Sequence, residues 1–441
     1  MSKLFQFASI CIVVLLVLGT PLFAAGQQDV AGTDKEITIQ YWSWDPELKT
    51  RNETMIEKFE AANPGIKVEL TTVEPKEYWT KIRIMANQKK LPDVFNLSSG
   101  YIEEWAQNGL LMDLGPYMQK DLNKDNFYMN LFDAVKDLSG TDKYYAFPYA
   151  LVTTCMYYNM DMFDAAGVAY PDTGWTWSDF RDAAKKLTLD KDGDGVTDQW
   201  GYWFYGRYAH IESWIYSNDG YLINRDTMRY DPDSNAMEAI TFLTDLVLKD
   251  KVAPPKKEMS AFRQQDVFPN GIAAMFVDGS WNIDNNRSVA GDSIKWGIAE
   301  LPIGPNGDGS LTYGWPDSLA IPPTTKYPDA AWKFAKFAAG EGLTMDMVMA
   351  GKIPSYRPLT ESEAFLEKGQ QPANKGLLIK QAAKTMRTSF TKSWGEWRGY
   401  GAAEALGFNG VIDGIIDGDL SFTEAMDLAD TNINKVMIRN Y

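Results

Sequence analysis

The 441-residue chain has one histidine, His210, and two cysteines, Cys11 and Cys155. A single imidazole rules out a zinc site built on two or three histidines, a His-Glu-x-x-His metalloprotease helix and a di-iron bundle within one chain. A Ser-His-Asp triad would have to pass through that one residue. Basic residues are also in deficit: 43 Lys plus Arg stand against 59 Asp plus Glu, a formal net charge of −16. Nucleic acids and anionic membrane surfaces both call for a basic face, so neither is an expected partner. There is no GxSxG nucleophile elbow, no Walker A sequence and no GxGxxG after a strand. Beyond the N-terminus no segment has the roughly 18 consecutive apolar residues of a membrane span.

Aromatic residues, by contrast, are abundant: 15 Trp, 22 Tyr and 21 Phe. That is more tryptophan than a core of this size needs, and it points to a surface made for flat apolar faces, of which sugars are one ligand class. At the N-terminus, Lys3 precedes an apolar run from Ile10 to Leu18, then Gly19, Thr20 and Pro21, and then Ala24, Ala25 and Gly26. This pattern reads as a secretory signal peptide over residues 1–26, so the mature chain is expected to be periplasmic or extracytoplasmic. Position 27 is Gln where a lipid-modified Cys would stand, so no lipobox is present. Cleavage removes Cys11 and leaves Cys155 alone, which excludes an internal disulfide and places the burden of stability on the core.

A chain of this length can bury a large core, and two or three domains are expected. Ile37 to Trp42 alternates as a strand, and Met55, Ile56, Phe59 and Ala62 form one stripe of a helix from Glu47 to Ala62, stopped by Asn63, Pro64 and Gly65. A strand at Ile66 to Val73, a helix at about Tyr78 to Gln88, a strand at Asp93 to Leu97 and a helix at about Gly100 to Asn108 continue the alternation. This spacing predicts parallel βαβ units with both sheet faces covered and ligands beyond the strands' carboxyl ends, at Trp42 to Asp45 and Asn96 to Gly100. Next come the aromatic β-rich stretch Tyr144 to Asn159, a helix from Trp177 to Leu187, an acidic loop and the aromatic stretch Tyr202 to Tyr221. A helix from Asn235 to Leu248 and a strand from Gly271 to Val277 follow. Two strand-like segments between Ile294 and Ile321 flank the turn Gly304 to Ser310. Pro328 to Ala339 is helical, as is most of the tail.

The sharpest local motif is the acidic loop. Carboxylates at Asp190, Asp192, Asp194 and Asp198, glycine at Gly195 and the carbonyl of Val196 occupy positions 1, 3, 5, 9, 6 and 7 of a calcium-loop pattern. Gly201 stands at position 12 where a bidentate Glu is usual, so the expected structural Ca2+ would be held weakly or be completed from elsewhere; a solvated acidic turn is the plainer alternative. Asp45, Glu103, Glu104, Asp219, Asp278, Asp317 and Glu396 could supply a glycosidase carboxylate pair only in the permissive sense that acids are abundant. His210 reads as a hydrogen-bonded member of an aromatic layer, and Cys155 as a small buried hydrophobe.

Taken in order, ITIQYWSWD, FEAANPGIKVEL, LPDVFNLSSGYIEEWAQNGLLMDL, YAFPYALVTTCMYYNMDMFDAAGV, TWSDFRDAAKKLT, WIYSNDGYLI, GIAAMFVDGSW, YGWPDSLAIPPTTKYPDAAWKFAKF and GKIPSYRPL resemble the carbohydrate-binding family 1 type of extracytoplasmic solute-binding proteins of ABC importers. The resemblance implies an α/β, two-lobed periplasmic-binding-protein fold, each lobe a mostly parallel sheet flanked by helices, joined by two or three hinge segments. Lobe 1 would comprise 36–147 and 279–338, and lobe 2 would comprise 148–278 and 339–441. It implies a non-catalytic, monomeric receptor that takes a mono- or oligosaccharide in the interlobe cleft, needs no functional cofactor and delivers its ligand to a membrane permease. Carried over residue by residue, the site would hold Trp42, Trp44, Asp45, Ser98, Ser99, Tyr149, Asp219, Trp281 and Trp315, to which Trp394, Trp397 and Arg398 are added from lobe 2. Rings would stack on pyranose faces while carboxylates, hydroxyls and Arg398 take the sugar hydroxyls. A binder of peptides, polyamines or other polar solutes, and a secreted glycosidase, stand as alternatives.

Overall fold

A computed structural model describes residues 36–438 apart from 45, 137–142, 205–207, 346–350, 383, 388–390, 392 and 400–406. The expected signal peptide, residues 1–26, and Asp45 lie outside the described residues. The strands are β1 (Ile37–Ser43), β2 (Ile66–Thr72), β3 (Val94–Ser98), β4 (Phe147–Asn159), β5 (Trp200–Trp203), β6 (Ile223–Asn224), β7 (Arg229–Tyr230), β8 (Ala273–Gly279), β9 (Trp296–Ala299), β10 (Leu311–Ala320), β11 (Ile353–Pro354) and β12 (Thr385–Arg387). All but the β6–β7 hairpin join one sheet along the path β2-β1-β3-β10-β4-β8-β5, with β9 and β11 paired to β4 and β12 to β10.

In β1, Ile39 and Tyr41 point inward while Thr38 and Gln40 are exposed, the period-2 pattern of a half-buried strand. Strands β4 and β8 lack that alternation because both their faces are covered; every residue of β4 except Tyr149 is buried. Helices cover the sheet on apolar stripes. In Trp177–Leu187, Thr176 and Asp179 form a reciprocal capping box, and Trp177, Phe180, Ala183, Ala184 and Leu187 fall on one buried face. The helix Phe422–Met437 starts on the same device, Ser421 with Glu424.

Pairing is parallel on the flanks, between β1 and both β2 and β3, and between β5 and β8. It is antiparallel where β4 and β10 run through the middle. The early residues of β4 pair with β10 and β11, and its later residues, Thr154 to Asn159, pair with β8 and β9. These two long strands therefore carry the chain from one α/β lobe to the other. The register departs from the sequence expectation at 279. Strand β9 pairs with Met156 to Asn159 on the edge of β4 opposite β8, so 282–299 stays with the second lobe and β10 is the return. Gly279 and Ser280 resemble a chain exit, but the buried strand Trp296–Ala299 satisfies its backbone by pairing with β4 on one edge and with the Gln371 and Asn374 side chains on the other. Among the described residues, no helix is long and apolar enough to cross a membrane.

Candidate ligand-binding site

Aromatic side chains from both lobes form one connected run. Trp44, just past β1, lies 5.5 Å from Tyr78 and 5.3 Å from Trp79, ring centroid to centroid. Trp79 lies 4.4 Å from Tyr101, and Tyr101 meets Trp394 edge-on at 5.7 Å. The Arg398 guanidinium sits 4.2 Å over the Trp394 ring and 5.3 Å over Trp397. It donates to the Tyr313 hydroxyl at 3.2 Å and is ion-paired with Glu212, both members fully buried. Tyr313 then stacks on Tyr216 at 5.7 Å and meets Trp315 at 5.4 Å, and Trp315 lies 5.6 Å from Trp281. Trp44, Trp281, Trp315, Trp394, Trp397 and Arg398 are thus brought together. Trp79, Tyr101, Tyr216, Tyr313 and Glu212 are members that the sequence did not single out, although Trp79 and Tyr101 stand where the strand-end rule could have found them.

Trp42 does not join the run; it is half-buried in β1 and packs against the main core. Ser99 donates from Oγ to the Pro316 carbonyl at 2.7 Å, and Ser98 stands opposite Asp317 in the β3–β10 register, so both help to dock β10 on β3. The Tyr149 hydroxyl accepts from Asn96 Nδ2 at 3.0 Å, while Asn96 Oδ1 accepts from the Tyr41 hydroxyl at 3.0 Å. Lys352 pairs with Asp317 at 3.1 Å, both nearly sealed from solvent, and its ammonium lies 5.7 Å over the Tyr149 ring. Ala150 pairs with Asp317 on one side and Pro354 on the other, so this buried pair sits where three chain segments run side by side. Buried charges need such partners.

Asp219 is exposed, with φ +54°, just after the helix Tyr208–Ser217. It lines an open pocket with Ser213, Tyr216, Asp308, Tyr313, Gln381 and Lys384. Tyr216 and Tyr313 belong to both features, so the cavity opens onto the aromatic run. Lys384 is tied by Glu300 at 2.9 Å and by the Gly309 carbonyl at 2.8 Å.

In the acidic loop, carboxylate oxygens of Asp190, Asp192 and Asp194 lie within 4.8 Å of one another. Asp190 accepts from the amides of Gly193 at 2.7 Å and Gly195 at 2.9 Å, and the Gly195 amide above all holds its carboxyl below the usual carboxylate range. Asp198 instead accepts from the Lys191 amide at 2.6 Å, and the Val196 amide donates to Asp194 at 2.7 Å. Three of the five expected ligands therefore cluster. This oxygen-only set fits a hard cation.

Asp278, His210 and Cys155 have structural surroundings. Asp278 lies 3.4 Å from His210 and accepts from Asn282 at 2.5 Å, inside the second lobe. Burial pushes the Cys155 thiol up to about 12, which leaves it protonated and unreactive.

Two α/β lobes strung on long crossing strands, with aromatic side chains converging from both, define a two-lobed periplasmic binding protein. The chain belongs to the bacterial extracellular solute-binding protein family, whose model matches residues 32–345. It is 25% identical over 335 residues to the mannitol-binding protein of Pseudomonas aeruginosa, covering 72% of this chain and 73% of that one. Over 331 residues it is 23% identical to the multiple sugar-binding protein of Streptococcus mutans, covering 73% of this chain and 76% of the relative. An ABC substrate-binding protein of Listeria monocytogenes, solved in complex with cycloalternan, superposes with a TM-score of 0.77 at 26% identity, covering 91% of this chain and 99% of that chain.

Proposed function

We propose that the protein is the substrate-binding component of an ABC-type sugar importer, holding a mono- or oligosaccharide between its lobes and presenting it to a membrane permease without chemical change. The observation that carries this reading is the run from Trp44 through Trp394 to Trp281, which lines the region between lobes with ring faces and edges. Rings stack on the apolar face of a pyranose, and the hydroxyl and carboxylate groups of the adjoining cavity, Ser213, Asp219 and Asp308, take its hydroxyls. The signal-like N-terminus supports export to the periplasm. β4 and β10 would act as hinges, with lobe 2 extending to the start of β10.

Thermal unfolding in a panel of mannitol, maltotriose, cycloalternan, a dipeptide and spermidine tests the reading. A sugar that binds at micromolar affinity or tighter raises the midpoint at millimolar concentration and changes tryptophan fluorescence on closure. A shift with spermidine or the dipeptide alone transfers the site to another polar solute, and product formation on long incubation would make it a glycosidase. We also propose that Asp190, Asp192 and Asp194 hold a structural Ca2+ that Val196 and Asp198 complete after a local turn of the loop. An unfolding midpoint unchanged by EDTA would reduce the loop to an acidic turn.

A further inference from the structure

Gly100 and Gly395 face one another's aromatic neighbours across the region between the lobes. Gly100 lies in the helical turn Ser99–Tyr101 that follows β3, and Gly395 in the short helix Trp394–Arg398. A methyl group on Gly100 would stand 2.7 to 2.9 Å from three carbons of the Trp394 ring. One on Gly395 would stand 2.8 Å from the Tyr101 hydroxyl and 3.4 Å from Arg83 Nη2. The arrangement is reciprocal: Trp394 lies on the backbone of Gly100, and Tyr101 lies over Gly395, with the two rings edge to face.

The two sides are anchored in different parts of the fold. The Ser99–Tyr101 turn belongs to β3 and its following helix, and Arg83 holds Tyr101 from the Pro75–Asn87 helix by a 3.0 Å hydrogen bond and a 5.2 Å guanidinium–ring contact. The Trp394–Arg398 helix is pinned to the Tyr208–Ser217 helix by the buried Arg398–Glu212 pair and packs on the Phe422–Met437 helix. For both glycines the nearest obstacles to a side chain come from the opposite lobe. Helical backbone suits alanine, so the absence of a side chain at these positions answers the approach of the other lobe and not a local need.

We propose that this reciprocal glycine–aromatic seam is the contact on which the two lobes close, and that Gly100, Tyr101 and Gly395 are positioning residues for ligand capture. The purpose rests on the receptor reading above; the geometry does not. An apolar ring lying flush on backbone seals the cleft when closed, and the ring–backbone contact itself is uncharged, so it separates without parting an ion pair of its own. The nearest atoms that alanine would meet at either position belong to the other lobe, and moving the lobes apart relieves the collision. The apparent affinity then falls in proportion to the closed fraction.

Small-angle scattering of the full chain with and without maltotriose, mannitol or cycloalternan is the test, read beside thermal unfolding and fluorescence titration with the same sugars. Gly100→Ala and Gly395→Ala are expected to enlarge the radius of gyration, to hold the unfolding midpoint near that of the parent, and to weaken binding of whichever sugar the parent takes by about tenfold. Gly100→Ala should add no expansion in a Trp394→Ala background, since its collision partner is gone. Gly201→Ala, whose methyl would meet the Ala184 backbone within one lobe, should instead destabilise without expansion. An unchanged radius with Gly100→Ala overturns the seam, and a lowered midpoint with unchanged radius would reassign it to core packing. If the parent binds none of the three sugars, the receptor reading is damaged while scattering still decides the seam.

Discussion

Two groups of buried aromatic residues in this protein look alike by exposure and differ in what they join. In the second lobe, Trp214 is sealed among Phe180 at 4.9 Å, Phe242 at 5.4 Å and Trp177 at 6.0 Å. Trp394, 4% exposed against 0% for Trp214, touches Tyr101 of the other lobe on one side and Arg398 on the other. The first group closes a core within one folding unit. The second group bridges elements that the hinge strands connect only at a distance. Burial alone therefore does not separate packing from a site, whereas the origin of the partners does.

The comparison is broken most sharply by truncating one residue of each kind. Trp214→Ala should cost about 3–5 kcal/mol of folding stability in urea titration, because its neighbours cannot collapse into the space. Trp394→Ala should cost clearly less stability and show its main effect as lost sugar affinity; equal stability losses would merge the two groups. Glu212→Gln tests what fixes the seam's second-lobe side. Leaving the Arg398 guanidinium buried without its carboxylate should cost about 3–5 kcal/mol, and Glu212→Leu with Arg398→Met should recover most of it, as urea midpoints would show.

A pH scan sharpens the contrast further. Burial raises the Glu367 carboxyl, but Lys375 at 2.6 Å and Arg287 at 3.0 Å outweigh it and hold the group below its usual range. A depressed carboxylate contributes stability that is complete above its unfolded value, about 4.3, and is lost as pH falls through the lower folded value. Glu367→Gln should flatten that acid limb of the midpoint without altering sugar binding. The smallest effect belongs to the exposed acidic loop: Asp190→Asn should remove any midpoint shift that added Ca2+ produces and leave sugar affinity unchanged.

Many elements of both lobes were legible in the sequence because their signals are local. Alternation in Ile37–Ser43, the Asn63-Pro64-Gly65 stop and the 3.6-residue stripe of Trp177–Leu187 each need only a dozen neighbouring residues to read. Trp44, Trp315 and Trp394 were also legible as members of an aromatic run, Trp44 from its place after a strand and the other two from the motifs YGW and WGEWRGY, although Trp315 lies inside β10. Trp42 was not, because one residue's shift along a strand moves a side chain to the other face. Tyr313 and Glu212 were invisible because their meaning lies in Arg398, 85 and 186 residues away.

By itself the sequence determined the element types, the scarcity of imidazole and thiol groups, and the supply of rings and carboxylates suited to a polar, flat-faced ligand. These depend on composition and on periodicities of two to four residues. Which tryptophans fill a core and which meet across the cleft was decided only in the tertiary structure, as was the return of the chain along β10 and the pairing of Gly100 with Trp394. Those contacts arise when strands far apart in the chain share a sheet, and no local pattern carries the register that brings them together.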